Sequence, residues 1–295
     1  MTRAQVGIDL GGTAVKSGRV SAAGAILEER SDDPGFARGP QHVLDTLARI
    51  WRELGGGDAL GIGVPGLLER ERGWLIASPN LPGFVELDVR GELARRTGLD
   101  PRRVVVENDA NAAAVGELWL GAGRGTRDML VVTLGTGIGG GFILDGKLYA
   151  GEGLAGEIGH VVVDPLGPLC GCGKRGCVET LASATAARRR ALAANLPASA
   201  PGDLVLLAQR AREGCAPERE LMHDIGRDLG RALGTVVCLL DVRTFVFGGG
   251  FSGALDALEP GLRVGIEERS YGARSPVVKL LPAELGASAG WIGAA

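Results

Sequence analysis

Apolar residues along this chain come in short runs that stop at glycine, and in a few longer stretches with helical spacing. Ala4–Leu10 reads as a buried strand, Gly11-Gly12-Thr13 turns the chain, and Ala14–Val20 returns as a second strand. The arrangement recurs further on: Val131–Leu134 is a strand, 135–141 a glycine turn, and Phe142–Leu144 the return. Aligning Leu10 with Leu134 superposes the two turns, which suggests two related halves. Residues 40–54 set Val43, Leu44, Leu47, Ile50, Trp51 and Leu54 on one helical face, with Trp51 assigned to core packing. Leu60–Val64 is a buried strand ending in Pro65-Gly66. Arg103–Glu107 is another, running into an alanine-rich helix through Gly116 with Asn108 or Asp109 near its cap. Helices follow at Thr180–Ala194, Asp203–Arg212, Leu221–Asp241 and 253–269, with strands at Thr244–Phe247 and Val277–Leu281. Leu285–Ala294 predicts a short helix packing back on the first domain. Cys238 lies on the apolar part of its helix and is assigned to the core, while Cys215 sits in a polar loop.

At 295 residues the chain suits two domains or one large one. A formal net charge of −3 provides no basic footprint for nucleic acid, and 4% aromatics no stacking platform. No signal peptide and no apolar run of membrane-spanning length is visible, so a cytoplasmic protein is expected. The 50 glycines have no collagen period. They cluster at 55–66, 121–141, 151–176 and 248–253, marking loops where backbone approaches a ligand.

His160, Cys170, Cys172 and Cys177 fall within eighteen residues, and one histidine with three cysteines is a common structural zinc set. Five cysteines and no secretory signal speak against disulfides. Glu157 and Glu179 frame this loop, as for a polar substrate site stiffened from behind by metal. The turn after Asp9 reads either as a plain hairpin or as a phosphate loop, with bare glycine N–H groups and the Thr13 hydroxyl facing anionic oxygens. In the second reading Asp9 faces magnesium through water. Two such hairpins would make a nucleotide clamp. The Gly135-x-Gly137-x-x-Gly140 match to a dinucleotide fingerprint and the near-Walker stretch Gly141 to Lys147 both lack the helix those motifs require. Asn80, in a proline-flanked loop, is either a hydroxyl ligand or a turn residue. Asp109 is either a helix cap or a general base at a strand's carboxyl end; beside the Glu/His loop and the hairpins the base is the better assignment. Gly248, Gly249 and Gly250 would let a flat ring lie against backbone, as an adenosine does.

The motifs D-L-G-G-T-x-x-K at 9–16, E-N-D-A-N at 107–111, T-L-G-T-G-I-G-G-G at 133–141, E-I-G-H at 157–160, C-x-C-G-x-x-G-C-x-E at 170–179 and F-G-G-G at 247–250 together resemble the ROK family of bacterial sugar kinases. Within it, S-P-N-L at 78–81 and G-E-L-W-L-G-A-G at 116–123 are most similar to the glucokinase branch. The resemblance implies an α/β fold of two actin-like ATPase (ribonuclease H-like) domains with a cleft between them. Residues 1–109 plus 283–295 would form the smaller domain, and 110–282 the larger one carrying the zinc loop. It implies ATP-dependent phosphorylation of a hexose 6-hydroxyl, most often glucose, with Asp109 as base. Asn80, Asn108, Glu157, His160 and Glu179 would hold the other hydroxyls, His160 using one ring nitrogen for zinc and the other for sugar. Asp9, Gly12, Thr13 and Lys16 would sit at the phosphate and magnesium end, opposite Gly135, Thr136 and Gly137, with Gly248–Gly250 lining adenosine. Kinases of N-acetylmannosamine, N-acetylglucosamine and fructose share most of these motifs. Repressors of the family carry a helix-turn-helix before the phosphate hairpin, for which the position of Asp9 leaves no room; a non-catalytic sugar sensor is a further alternative. A homodimer or homotetramer is implied. G-A-S-A-G-W at 286–291 departs from relatives, which usually carry an acidic residue after the glycine.

Overall fold

The computed structural model describes residues 4–78, 81–200, 202–272 and 275–295. In chain order the first elements are β1 (Ala4–Leu10), β2 (Val15–Ser21), β3 (Ile26–Asp32), α1 (Pro40–Glu53), β4 (Leu60–Val64), β5 (Leu67–Glu69), β6 (Trp74–Ala77), β7 (Val85–Asp88), α2 (Val89–Thr97), β8 (Val104–Asn108) and α3 (Asp109–Trp119). There follow β9 (Met129–Leu134), β10 (Ile138–Leu144), β11 (Lys147–Tyr149), α4 (Glu179–Ala182), α5 (Ala184–Ala193), α6 (Asp203–Arg212) and α7 (Ala216–Leu240). The chain closes with β12 (Thr244–Gly248), α8 (Leu255–Arg269), β13 (Lys279–Pro282) and α9 (Ala289–Ala294). Two compact units result: Met1–Arg127, Gly141–Gly156 and Glu284–Ala295 form one, Asp128–Gly140 and Glu157–Ala283 the other.

In the first unit a sheet of order β3-β2-β1-β4-β8 joins an antiparallel meander, β1 to β3, to the parallel strands β1, β4 and β8. Alternation along the strands decides what covers each face. Val6, Ile8 and Leu10 of β1 and Leu60, Ile62 and Val64 of β4 join the core built with Leu44, Leu47 and Ile50 of α1. Between them Gly7 and Gly61 stand where α9 lies against backbone. A Cβ on Gly7 would stand 1.8 Å from the Trp291 carbonyl oxygen, and one on Gly61 1.7 Å from that of Ala294. Asp9 shares this face. Helix α3 packs on α9 the same way, with Gly293 against the Ala112 carbonyl and Gly116 against that of Ala289. This contact keeps α3 with the first sheet, so the compact units part after Arg127, beyond the Asp109 boundary expected from sequence. Strands β5, β6 and β7 form a small antiparallel sheet of their own.

In the second unit β12 pairs in parallel with both β9 and β13. Helices α7 and α8 approach at backbone contact through Gly226, Gly230 and Gly234 on one and Gly261 and Gly265 on the other. Three expectations are corrected here. The second glycine turn is shorter than 135–141, because Ile138 already opens β10. The helix expected at Thr180–Ala194 is two helices, broken at Ser183, whose backbone is extended and whose hydroxyl accepts the Ala186 N–H at 3.1 Å. Cys238 is exposed: it lies near the C-terminus of α7, where apolar side chains such as Leu239 face outward.

Candidate functional site

Parallel pairing sets Asp9, Gly63 and Glu107 in register at the carboxyl ends of β1, β4 and β8, the side of an α/β sheet where ligands collect. Gly63 leaves space between two acids: a Cβ there would be 3.4 Å from the Asp109 Cα and 3.6 Å from Asp9 Oδ1. Burial, and after it the negative charge of Asp109, pushes the Asp9 carboxyl up to about 7, while Lys16 pulls the other way. Lys16 is its partner across the β1–β2 pair. An acid raised by burial and by a neighbouring carboxylate belongs to a donor set that a divalent cation would relieve. Gly12 and Thr13 are exposed at the hairpin tip, which the Gly11 N–H closes onto the Ala14 carbonyl at 3.0 Å.

Of the two candidate caps of α3, Asn108 is the residue outside the helix. Its Oδ1 accepts the N–H groups of Ala110 and Asn111 at 2.9 and 3.2 Å, and its amide donates to the Gly66 carbonyl at 3.4 Å. Asp109 opens the helix, with Oδ1 accepting the Ala110 N–H at 2.8 Å. The helix dipole favours its negative charge at this end. Glu107 is buried and fully occupied. One oxygen accepts from the Asn108 N–H and the Asn111 amide, both at 2.9 Å, and the other from Arg70 Nε and Nη2 at 2.7 and 2.5 Å. Nothing in the sequence marks Arg70, which lies 37 residues from its partner. Glu117 is likewise buried, accepting N–H groups of Ala122, Glu284 and Leu285 and so tying the start of the C-terminal segment to α3. Asn80 lies outside the described residues.

The second unit holds the metal set. The ligand atoms of His160, Cys170, Cys172 and Cys177 lie within 4.8 Å of one another. Cys172 and Cys177 sulfurs are 3.5 Å apart and Cys170 Sγ is 3.6 Å from His160 Nδ1. Thiolates on a tetrahedral zinc stand about 3.8 Å apart, so the donor set and spacing fit that ion. Burial, with the adjoining thiols, pushes the Cys177 thiol up to about 12, whereas the Lys174 N–H lowers that of Cys172. A bound cation removes the cost of ionising the buried thiol. The loop turns on Gly173 and on Gly176, at φ +69°, where a Cβ would fall 1.4 Å from the Asp164 carbonyl oxygen. With Nδ1 turned to the sulfurs, His160 Nε2 points toward Glu157, 3.9 Å from Oε2.

Glu179 opens α4 two residues after Cys177, and its Oε2 accepts the Ile138 N–H at 3.0 Å. A Cβ on Gly137 would reach that oxygen at 2.4 Å, so the turn 135–137 lies directly on the carboxylate. The run 248–250 ends β12 beside it: Gly249, at φ +86°, backs onto the Leu134 carbonyl, and Phe251 donates to the same oxygen at 3.0 Å. A Cβ on Gly250 or Gly135 would meet nothing within 4 Å, leaving open backbone at both runs.

The ROK family pattern matches residues 5–295. A glucokinase of Thermotoga maritima is 37% identical over 305 residues, covering 98% of this chain and 95% of its own. An N-acetylmannosamine kinase of Escherichia coli is 34% identical over 298 residues, covering 98% and 96%. The crystal structure of a ROK family glucokinase from Streptomyces griseus, in complex with glucose and AMPPNP, superposes with a TM-score of 0.82 at 32% identity, covering 99% of this chain and 98% of that one.

Proposed function

The chain belongs to the ROK family, and from that premise we propose that it is a hexokinase-type sugar kinase moving the terminal phosphoryl group of ATP to a hexose 6-hydroxyl, with glucose preferred. The observation that carries this is Asp109, a carboxylate on the first turn of α3 at the end of β8, in a helix start held by Asn108, Glu107 and Arg70. Phosphoryl transfer asks for positioning and charge neutralisation more than covalent chemistry. Asp109 accepts the hydroxyl proton as the sugar oxygen bonds to the γ-phosphorus and the bond to ADP breaks. Asn80, Asn108, Glu157, His160 through Nε2, and Glu179 hold the remaining hydroxyls. Asp9, Gly12, Thr13 and Lys16 serve the phosphates and magnesium, the turn of Gly135, Thr136 and Gly137 binds phosphate, and Gly248, Gly249 and Gly250 line the adenosine. Magnesium, when bound, neutralises phosphate charge; zinc, when held by His160, Cys170, Cys172 and Cys177, stiffens the loop between Glu157 and Glu179. The raised Asp9 carboxyl and the clustered sulfurs support both assignments.

The chain works in the cytoplasm as a homodimer or homotetramer. Among the described residues no helix is long and apolar enough to cross a membrane. A second reading, N-acetylmannosamine as substrate, is supported by the kinase of that sugar at 34% identity. An assay of sugar phosphate formation over glucose, mannose, fructose, N-acetylmannosamine and N-acetylglucosamine, with ATP or polyphosphate as donor, separates these. The highest kcat/KM is expected for glucose with ATP. A preference for N-acetylmannosamine selects the second reading, and sugar binding without sugar phosphate formed from any donor selects a sensor.

A further inference from the structure

The turn 135–137 is tied down from behind at successive peptide groups. The Gly135 carbonyl accepts the Ala184 N–H at 2.9 Å, and the Thr136 carbonyl accepts the Thr185 hydroxyl at 2.8 Å. Ile138 donates to Glu179 Oε2 at 3.0 Å, and Gly135 to the Gly137 carbonyl at 3.0 Å. The break at Ser183 makes this possible, because it starts a new helix whose first turn presents Ala184 and Thr185 to the loop. In a planar trans peptide the N–H points opposite to the C=O. Holding the carbonyls of Gly135 and Thr136 toward α5 therefore aims the N–H groups of Thr136 and Gly137 away from it, which is how backbone forms an anion-binding concavity.

We propose that Thr185 and the Oε2 oxygen of Glu179 are positioning groups for the nucleotide's phosphates, acting through the direction of the Thr136, Gly137 and Ile138 peptides. This rests on the assignment of 135–137 as a phosphate turn. Glu179 then serves two substrates at once, with Oε1 for the sugar and Oε2 for the turn. Because it follows Cys177 by two residues, the metal loop and the phosphate turn are stiffened together.

The test is the Kd of AMPPNP, by calorimetry on metal-replete protein without sugar, with the Kd of glucose and the melting midpoint measured alongside. Thr185→Val removes one ordinary hydrogen bond and weakens AMPPNP about two- to tenfold, leaving glucose unchanged. Thr185→Ser restores wild-type affinity. Glu179→Gln keeps an acceptor for the Ile138 N–H, so it weakens glucose and spares AMPPNP. Gly137→Ala, which drives a Cβ onto Glu179 Oε2, reports whether the turn serves the nucleotide at all. AMPPNP affinity lost in Gly137→Ala but unchanged in Thr185→Val overturns the positioning role. So does a Thr185→Val loss that serine does not rescue, or equal loss of both ligands in Glu179→Gln. If neither Gly137→Ala nor Thr185→Val weakens AMPPNP, the phosphate assignment itself fails.

Discussion

Asp9→Asn is expected to make the ligand-free protein more stable at neutral pH while destroying its activity. The wild-type carboxyl titrates at about 7 in the folded protein against 3.8 in the unfolded chain, because burial and the charge of Asp109 disfavour its ionised form. Between these values the folded state holds a proton that the unfolded chain releases. Stability is therefore fully present below pH ~4, falls as pH rises toward 7, and stays low above it. A displacement from 3.8 to about 7 corresponds to about 4 kcal/mol. Asp9 is mostly but not wholly buried, and water screening at its exposed edge brings the effect to roughly 2 kcal/mol. An amide of the same shape removes the penalty. Thermal unfolding without nucleotide or divalent cation should put the variant's midpoint on the order of 4–8 °C above wild type at pH 8, with the two curves converging near pH 4.5. A variant less stable than wild type at pH 8, or a wild-type midpoint flat from pH 4.5 to 7.5, would refute the reasoning. Magnesium with AMPPNP should restore stability to wild type at pH 8 and not to the variant, since the cation takes over the role of the proton.

Arg70→Met leaves Oε2 of buried Glu107 without its two guanidinium donors; denaturant unfolding should show a loss of about 1–3 kcal/mol, and kcat should fall with the disordered start of α3. Removing the metal by chelation should lower the melting midpoint and raise the KM for glucose, and verified metal-free protein with unchanged kinetics would contradict the support assigned to the 157–179 loop. Gly293→Ala puts a Cβ 1.7 Å from the Ala112 carbonyl oxygen. It should prise α9 from α3 and lower the denaturant midpoint by an amount equivalent to at least about 2 kcal/mol, whereas Gly146→Ala, with open space but φ +72°, should cost about 1 kcal/mol.

Strands bounded by glycine were legible because each buried run ends where the backbone must turn: β1 and β4 begin and end where spacing sets them, as does the helix α6 by its own period. Strand β3 was not, since Ile26–Asp32 is largely exposed and charged; its ladder to β2 and side-chain bonds such as Arg30 to Glu53 hold it, and neither leaves an apolar pattern. The break at Ser183 carried a readable signal, a serine preceding a helical run, but the alanines on either side obscure it. The chemistry-bearing residues were legible as types, because three thiols and an imidazole in one loop have few other uses. Their supports were not. Arg70 to Glu107, Glu117 to Leu285 and Thr185 to Thr136 are long-range hydrogen bonds that leave no period in the chain. Nor do the glycines under α9, because a close approach shows only when the partner backbone is in place. Cys238 marks the reverse failure: apolar spacing continues to the end of α7 after the surface that would cover it has run out.

The central claim is that Asp109 takes the proton from the attacking sugar hydroxyl. It is tested most directly by single-turnover phosphorylation of glucose with Asp109→Asn, alongside the variant's affinity for glucose. A fall in the rate of about 10²–10⁴-fold with glucose still bound is the predicted result; a variant that binds glucose and keeps most of its rate would contradict it.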